Sequence, residues 1–254
     1  MVIEIKGKHA QITIFIVIAI MIVLVIIGYF LIYRGVYSQA SIIESPKSSI
    51  DKCIQTAVNK AVDKVLAGGG RVYPELYIMY KSEKYNYLCY QQNFYQTCIN
   101  HYPQLIRIIA QEIKKDTVVE LGDCFDMLTQ EYQRKGYQVS ETELEYDVEL
   151  VPKLVSLKIK KEIEISKDGN SQKLNDFNSN VPSSIYDLAM VAREISNQES
   201  QFCNFEYNGY MLLYPDFDIK RIDYMDTKIY KVTHRDSQKL FKFATRSCAL
   251  PPGI

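Results

Sequence analysis

From Ile12 to Ile32 the chain runs apolar almost without interruption, ITIFIVIAIMIVLVIIGYFLI, and only beyond it do apolar and polar positions alternate with a readable period. A helix rises about 1.5 Å per residue, so a run of this length matches a hydrocarbon core of roughly 30 Å. The pattern predicts a transmembrane helix over residues 12–34, with 1–11 as a short cytoplasmic end or leader. A cleaved secretory signal has a shorter apolar stretch, about 7 to 15 residues, that closes on small residues. Here the run closes on Tyr29, Phe30, Leu31, Ile32, Tyr33 and Arg34. Lys6 and Lys8 before the run outweigh Arg34 after it, which directs Met1 to the cytoplasm and the remainder outward.

Residues 35–48 lack a period and contain Pro46 and several serines, so they read as a linker. A helix follows, capped by Ser48 or Ser49. Its stripe is Ile54, Ala57, Val58, Ala61, Val62, Val65 and Leu66, and Gly68, Gly69 and Gly70 end it. Pro103 opens a second helix whose stripe is Leu105, Ile106, Ile109, Ile113, Val118, Leu121, Phe125 and Leu128, running as far as Gly136. Val118, Val119 and Gly122 mark where it would bend or split.

Two segments then alternate strictly. Leu144, Tyr146, Val148 and Leu150 interleave with acids, and Leu157, Ile159, Ile163 and Ile165 interleave with Lys158, Lys160, Glu162 and Glu164. Residues 143–150 and 155–162 are expected to pair as an antiparallel hairpin across 151–154. That register sets Val148 opposite Leu157 and Tyr146 opposite Ile159 on a core face, with Asp147 opposite Lys158 and Glu145 opposite Lys160 on a wet face. Ser184 with Asp187 starts a third helix, and short strands follow from Phe202, including a hairpin of 228–234 with 240–245. The stretch YPDFDIKRIDYMD reads as a solvated loop, since its aspartates lack the spacing and glycine of a calcium loop. The predicted fold is therefore α+β: one N-terminal transmembrane helix, then an extracytoplasmic domain over 49–254 with an antiparallel sheet and two or three long helices.

Composition narrows the function. Lysine plus arginine and aspartate plus glutamate both number 30, and no basic cluster stands out, which argues against nucleic acid as a partner. Six cysteines all follow the apolar run, as an oxidising exterior would allow, and an even count suggests three disulfides. Fifteen connectivities are open; the element order favours Cys53 with Cys124 between the long helices, Cys89 with Cys98 across a short loop, and Cys203 with Cys248 tying the tail to the last helix. No CxxC pair occurs and the three histidines have no ligand spacing, so neither a metal nor a cofactor is expected. No nucleophile motif of a known hydrolase stands out. Tyrosine is dense from Tyr73 to Tyr102. One reading makes Tyr73, Tyr77, Tyr80, Tyr85 and Tyr87 a contact surface, because tyrosine offers large amphipathic area at low entropy cost. The other makes them the residues of a half-buried sheet.

The segment KGKHAQITIF with the apolar run behind it resembles the class III signal of archaeal type IV pilin-like proteins, over about the first 35 residues. The resemblance implies cleavage between Ala10 and Gln11, with Gln11 opening the mature chain. Thr13 stands where that family usually has serine, and Phe15 where many members carry a glutamate used in assembly. The expected function is a non-enzymatic, membrane-anchored surface protein, a pilin-like subunit or contact module, whose partners are the lipid bilayer and other surface or membrane proteins, itself included. An extracytoplasmic sensor or accessory subunit of a membrane complex is the alternative, and a tethered hydrolase ranks behind it.

Overall fold

The computed structural model describes residues 17–29 and 46–251. Residues 17–29 are helical (α1), with every residue exposed except half-buried Gly28. This corrects the expected transmembrane helix: among the described residues no helix is long and apolar enough to cross a membrane. At about 1.5 Å per residue, α1 as described reaches only about 20 Å, short of the hydrocarbon thickness. The expected cleavage pair Ala10 and Gln11 lies outside the described residues, as does the linker up to residue 45. The rest of that linker, 46–48, is the first turn of a helix instead.

The remaining chain folds by itself as one α+β unit. Its helices are α2 (Pro46–Ala67), α3 (Leu105–Arg134), α4 (Ile185–Phe202) and α5 (Tyr207–Leu213). Its strands are β1 (Tyr77–Tyr80), β2 (Glu83–Tyr90), β3 (Ile99–Asn100), β4 (Gln138–Glu141), β5 (Glu145–Val151), β6 (Leu154–Lys160), β7 (Ile163–Lys167), β8 (Asn170–Leu174), β9 (Ser179–Pro182), β10 (Phe217–Tyr224), β11 (Thr227–His234) and β12 (Leu240–Arg246). The largest sheet has the order β1-β2-β12-β11-β10, with β3 also on β2; two three-stranded sheets, β4-β7-β8 and β5-β6-β9, complete the set. The large sheet is mixed rather than antiparallel, because β12 runs parallel to β2 and so joins residues far apart in sequence.

Helix α2 carries its apolar stripe inward: Ile54, Val58, Ala61, Val62 and Val65 are all essentially inaccessible. The glycines after it serve packing as well as termination. Gly69 and Gly70 take positive φ, and a β-carbon on Gly69 would stand 2.8 Å from the Lys242 carbonyl of β12. Helix α3 runs unbroken for 30 residues. Its inward line passes through Ile113, Thr117 and Leu121, so Val118 is 53% exposed and the expected stripe is wrong there by one position. Thr117 turns its hydroxyl back to the Ile113 carbonyl at 2.8 Å, which lets a polar residue sit in the stripe.

The β5–β6 pair has the expected register: Val148 opposes Leu157, Tyr146 opposes Ile159, Asp147 opposes Lys158 and Glu145 opposes Lys160. The loop is tighter than anticipated, since Val151 and Leu154 also pair and only Pro152 and Lys153 turn, Lys153 with φ 65°. Directly opposed charges do not form the ion pairs. Lys158 reaches diagonally to Glu149 at 3.0 Å, and Asp147 turns to Lys114 of α3 at 2.8 Å. The second alternating run is two strands in two different sheets. Between them Lys161, only 7% exposed, bonds Glu141 at 3.1 Å and the Thr142 carbonyl at 2.8 Å, drawing the chain across to β4. The acidic stretch read as a loop is mostly strand β10, and the segment before it is helix α5. The three disulfides join Cys53 to Cys124, Cys89 to Cys98 and Cys203 to Cys248, with α-carbons 5.9, 5.4 and 5.7 Å apart.

Candidate functional site

The large sheet has two unlike faces. One packs on the helices through Leu88, Ile219, Tyr230, Val232, Phe241 and Phe243. The other carries a separate apolar cluster of Tyr85, Tyr87, Ile229 and Ala244, edged by half-buried Ile78, Tyr80, Tyr90, Ile222 and Tyr224. Strand alternation places it there: Tyr85 and Tyr87 are two apart on β2, Ile78 and Tyr80 two apart on β1, and Ile78 opposes Tyr85.

The rings pack edge to face. Tyr80 meets Tyr224 at 5.0 Å and Tyr85 at 6.1 Å, and Tyr87 meets Tyr90 at 4.9 Å. Lysines cover the centre: the ammonium groups of Lys231 and Lys242 stand 5.7 and 5.4 Å from the Tyr85 ring. Lys242 also pairs with Glu83 at 2.9 Å, and Tyr85 donates its hydroxyl to Glu83 at 2.9 Å. These bonds, that to Lys242 foremost, hold the Glu83 carboxyl below its usual range. Burial pushes the Tyr85 and Tyr87 hydroxyls above theirs, and Tyr87 shares a hydrogen with Thr227 at 2.8 Å. Both tyrosines therefore stay neutral at any physiological pH.

The five expected contact tyrosines thus divide. Tyr85 and Tyr87 are 0% and 6% exposed and form the floor of the face, so they cannot themselves meet a partner. Tyr80 lies on its rim. Tyr77, 39% exposed under Lys84, projects from the other side of β1, and Tyr73, 83% exposed, precedes the strand. The structure adds Tyr224, Lys231 and Lys242, which the sequence reading missed. Tyr224 closes FDIKRIDY, whose alternation is obscured by Arg221 on the helical face, bonded to Asn204 at 3.2 Å.

Elsewhere the polar groups hold the fold. Glu199, fully buried on α4, accepts from Lys228 at 2.8 Å and from the Tyr230 hydroxyl at 2.5 Å. Lys228 also reaches the Cys203 carbonyl, and Ser247 donates to the Glu199 carbonyl at 2.7 Å, so the network braces the Cys203–Cys248 bridge. His234 and Ser237 meet at 3.2 Å within the β11–β12 turn, and the Ser237 amide also donates to the same imidazole nitrogen at 3.3 Å, which makes this a turn bond. Among the described residues no group of histidine, cysteine, aspartate or glutamate is placed to hold a metal ion. Comparison with protein-family models, with curated proteins and with solved structures found no match to this chain.

Proposed function

We propose that this chain is a non-enzymatic contact module that works outside the cytoplasm, meeting a partner protein through the tyrosine face of its large sheet. The observation that carries the reading is that face itself. A sheet already covered by helices on one side has no structural need for a second aromatic cluster on the other. Tyr80, Tyr90 and Tyr224 are left half-buried at its rim, with Lys231 and Lys242 over Tyr85 at its centre. Partly exposed tyrosine recurs at the energetic centres of interfaces. Three disulfides support the extracytoplasmic side, since such bonds persist in oxidising compartments. The likeness of the first 35 residues to archaeal pilin-like proteins argues in the same direction.

The test has two arms. A membrane-impermeant amine reagent applied to intact source cells should label Lys115 and Lys220, whose side chains are 76% and 71% exposed; labelling only after lysis rejects the location. Purified disulfide-bonded chain should bind the surface of cells lacking the gene, and the double variant Tyr80→Ser, Tyr224→Ser should bind at least about tenfold less. Equal binding by a folded variant removes the tyrosine face from the function.

A further inference from the structure

On the helical side, a groove of about 460 Å³ opens between the start of α3, strand β5 and α4. That volume lies within the range of small-molecule sites, roughly 300 to 1,000 Å³. Its apolar lining comes from Ile106 and Ala110 of α3 and from Val148 and Leu150 of β5. Two arginines from different elements line it, exposed Arg107 of α3 and half-buried Arg193 of α4. Other cations of the fold are engaged: Lys114 with Asp147, Lys161 with Glu141, Arg246 with Asp226. Neither Arg107 nor Arg193 has a hydrogen-bond or ion-pair partner among the described residues. The one carboxylate on the groove wall, Glu149, is drawn 3.0 Å from Lys158 on the neighbouring strand. The groove lining thus combines apolar side chains with two arginines, and its one acidic group is paired with Lys158 outside it.

We infer that this groove binds a small amphipathic carboxylate, its head held by Arg107 and Arg193 and its apolar body lying on Ile106, Ala110, Val148 and Leu150. A guanidinium presents paired N–H donors in a plane, which matches the two oxygens of a carboxylate. Two such forks beside apolar surface select a charged head joined to an apolar body. A bare anion leaves the apolar lining unused, and a neutral analogue leaves both guanidiniums unanswered. No covalent step is involved. The inference does not rest on the tyrosine face, which belongs to a different sheet from β5.

The test is titration of the full disulfide-bonded chain with 4-phenylbutyrate, followed by amide NMR shifts and calorimetry. The expected result is saturable binding with a dissociation constant near or below about 1 mM, and shifts centred on residues 106–110 and 148–150. 4-Phenylbutyramide, which lacks the charge, and acetate, which lacks the body, should each bind at least about tenfold more weakly. The double variant Arg107→Gln, Arg193→Gln should lose the same factor while its circular dichroism and thermal midpoint stay unchanged, because neither side chain braces the fold. The pair Arg107→Lys, Arg193→Lys, which keeps charge and loses the fork, should fall between. No shift up to about 10 mM, equal binding of the amide or of acetate, or shifts centred elsewhere each overturn the inference.

Discussion

Replacing Cys53 and Cys124 together by alanine severs the only covalent link between α2 and α3 among the described residues. The bridge spans 71 residues. In the chain-entropy description a loop of that size restricts the unfolded ensemble by about 15 cal/mol/K, or about 4 kcal/mol at 25 °C. The native state has little reason to change, because both helices also contribute to one core, α2 with Ile54, Val58 and Val62 and α3 with Leu121 and Phe125. The expected loss is therefore about 4 kcal/mol, appearing as a lower urea midpoint with a somewhat larger slope as the unfolded chain expands. The control uses reductant. Once all bridges are opened in both proteins, wild type and variant should differ by no more than about 1 kcal/mol, the remaining packing effect of two sulfur atoms. A loss below about 1 kcal/mol in oxidised protein would refute the reasoning, and so would a full loss that survives reduction, since either result assigns the effect to packing rather than to the cross-link.

Leu157→Ala should cost about 2 to 5 kcal/mol because the side chain is 1% exposed in the core. Its neighbour Lys158→Ala should stay within about 0.5 kcal/mol, and denaturation of the two variants checks the register of β5 on β6. Lys228→Met strands the buried Glu199 carboxylate with Tyr230 alone and should destabilise by about 3 to 5 kcal/mol; adding Glu199→Gln should restore much of it, and a double variant as unstable as the single contradicts the pairing. Acid should loosen the β1–β2 edge. Lys242 holds Glu83, and Lys114 holds Asp147, below their ordinary carboxyl ranges, so these bonds contribute fully above the unfolded values of about 4 and are lost as pH falls through the lowered folded ones. Carboxyl NMR titration that returns unshifted midpoints for Glu83 and Asp147 contradicts both bonds.

What was legible in the sequence was local periodicity with a single winning period. The register of the β5–β6 hairpin could be read because the eight positions 143–150 alternate between charged and apolar without a break, and a slip by one would expose Leu157 and bury Lys158. The three disulfides are the pairs favoured among fifteen open connectivities, a choice the sequence alone did not decide. The reading failed where a tertiary bond overrode the pattern. Ile159 and Ile163 look like one strand until Lys161 is seen to need Glu141 and the Thr142 carbonyl, contacts set by a strand twenty residues upstream. Tyr224 was lost because β10 exposes Asp218, Lys220 and Asp223 at a sheet edge, where polarity mimics a loop. The apolar run at 12–32 was the strongest signal in composition, yet among the described residues no helix is long and apolar enough to cross a membrane.

The tyrosine face also explains where the covalent reinforcement lies. Tyr80, Tyr85, Tyr87 and Tyr90 come from the first half of the chain and Tyr224 from its last quarter, so the face exists only if β12 closes on β2. Closing so long a loop is entropically costly, and a parallel pair gains slightly less per residue than an antiparallel one. The junction is correspondingly secured from several directions. Cys89, opposite Thr245, is bridged to Cys98, and Cys248, three residues past Thr245, is bridged to Cys203. Backbone bonds run from Gln91 to Arg246 at 3.0 Å, from Tyr95 to Ala249 at 2.9 Å and from Cys248 to Gln96 at 2.7 Å. Arg246, only 7% exposed, adds a bond to the Gln92 carbonyl at 2.7 Å and to Asp226 at 2.7 Å. If the face is the working surface, function should fail with this junction before the molecule unfolds. Arg246→Met should therefore weaken cell-surface binding and raise hydrogen exchange at residues 87–98 and 244–249, while the β5–β6 hairpin keeps its protection. Uniform loss of protection across both regions would mean that the junction and the rest of the head open as one cooperative unit, and the argument for a locally secured face would fall.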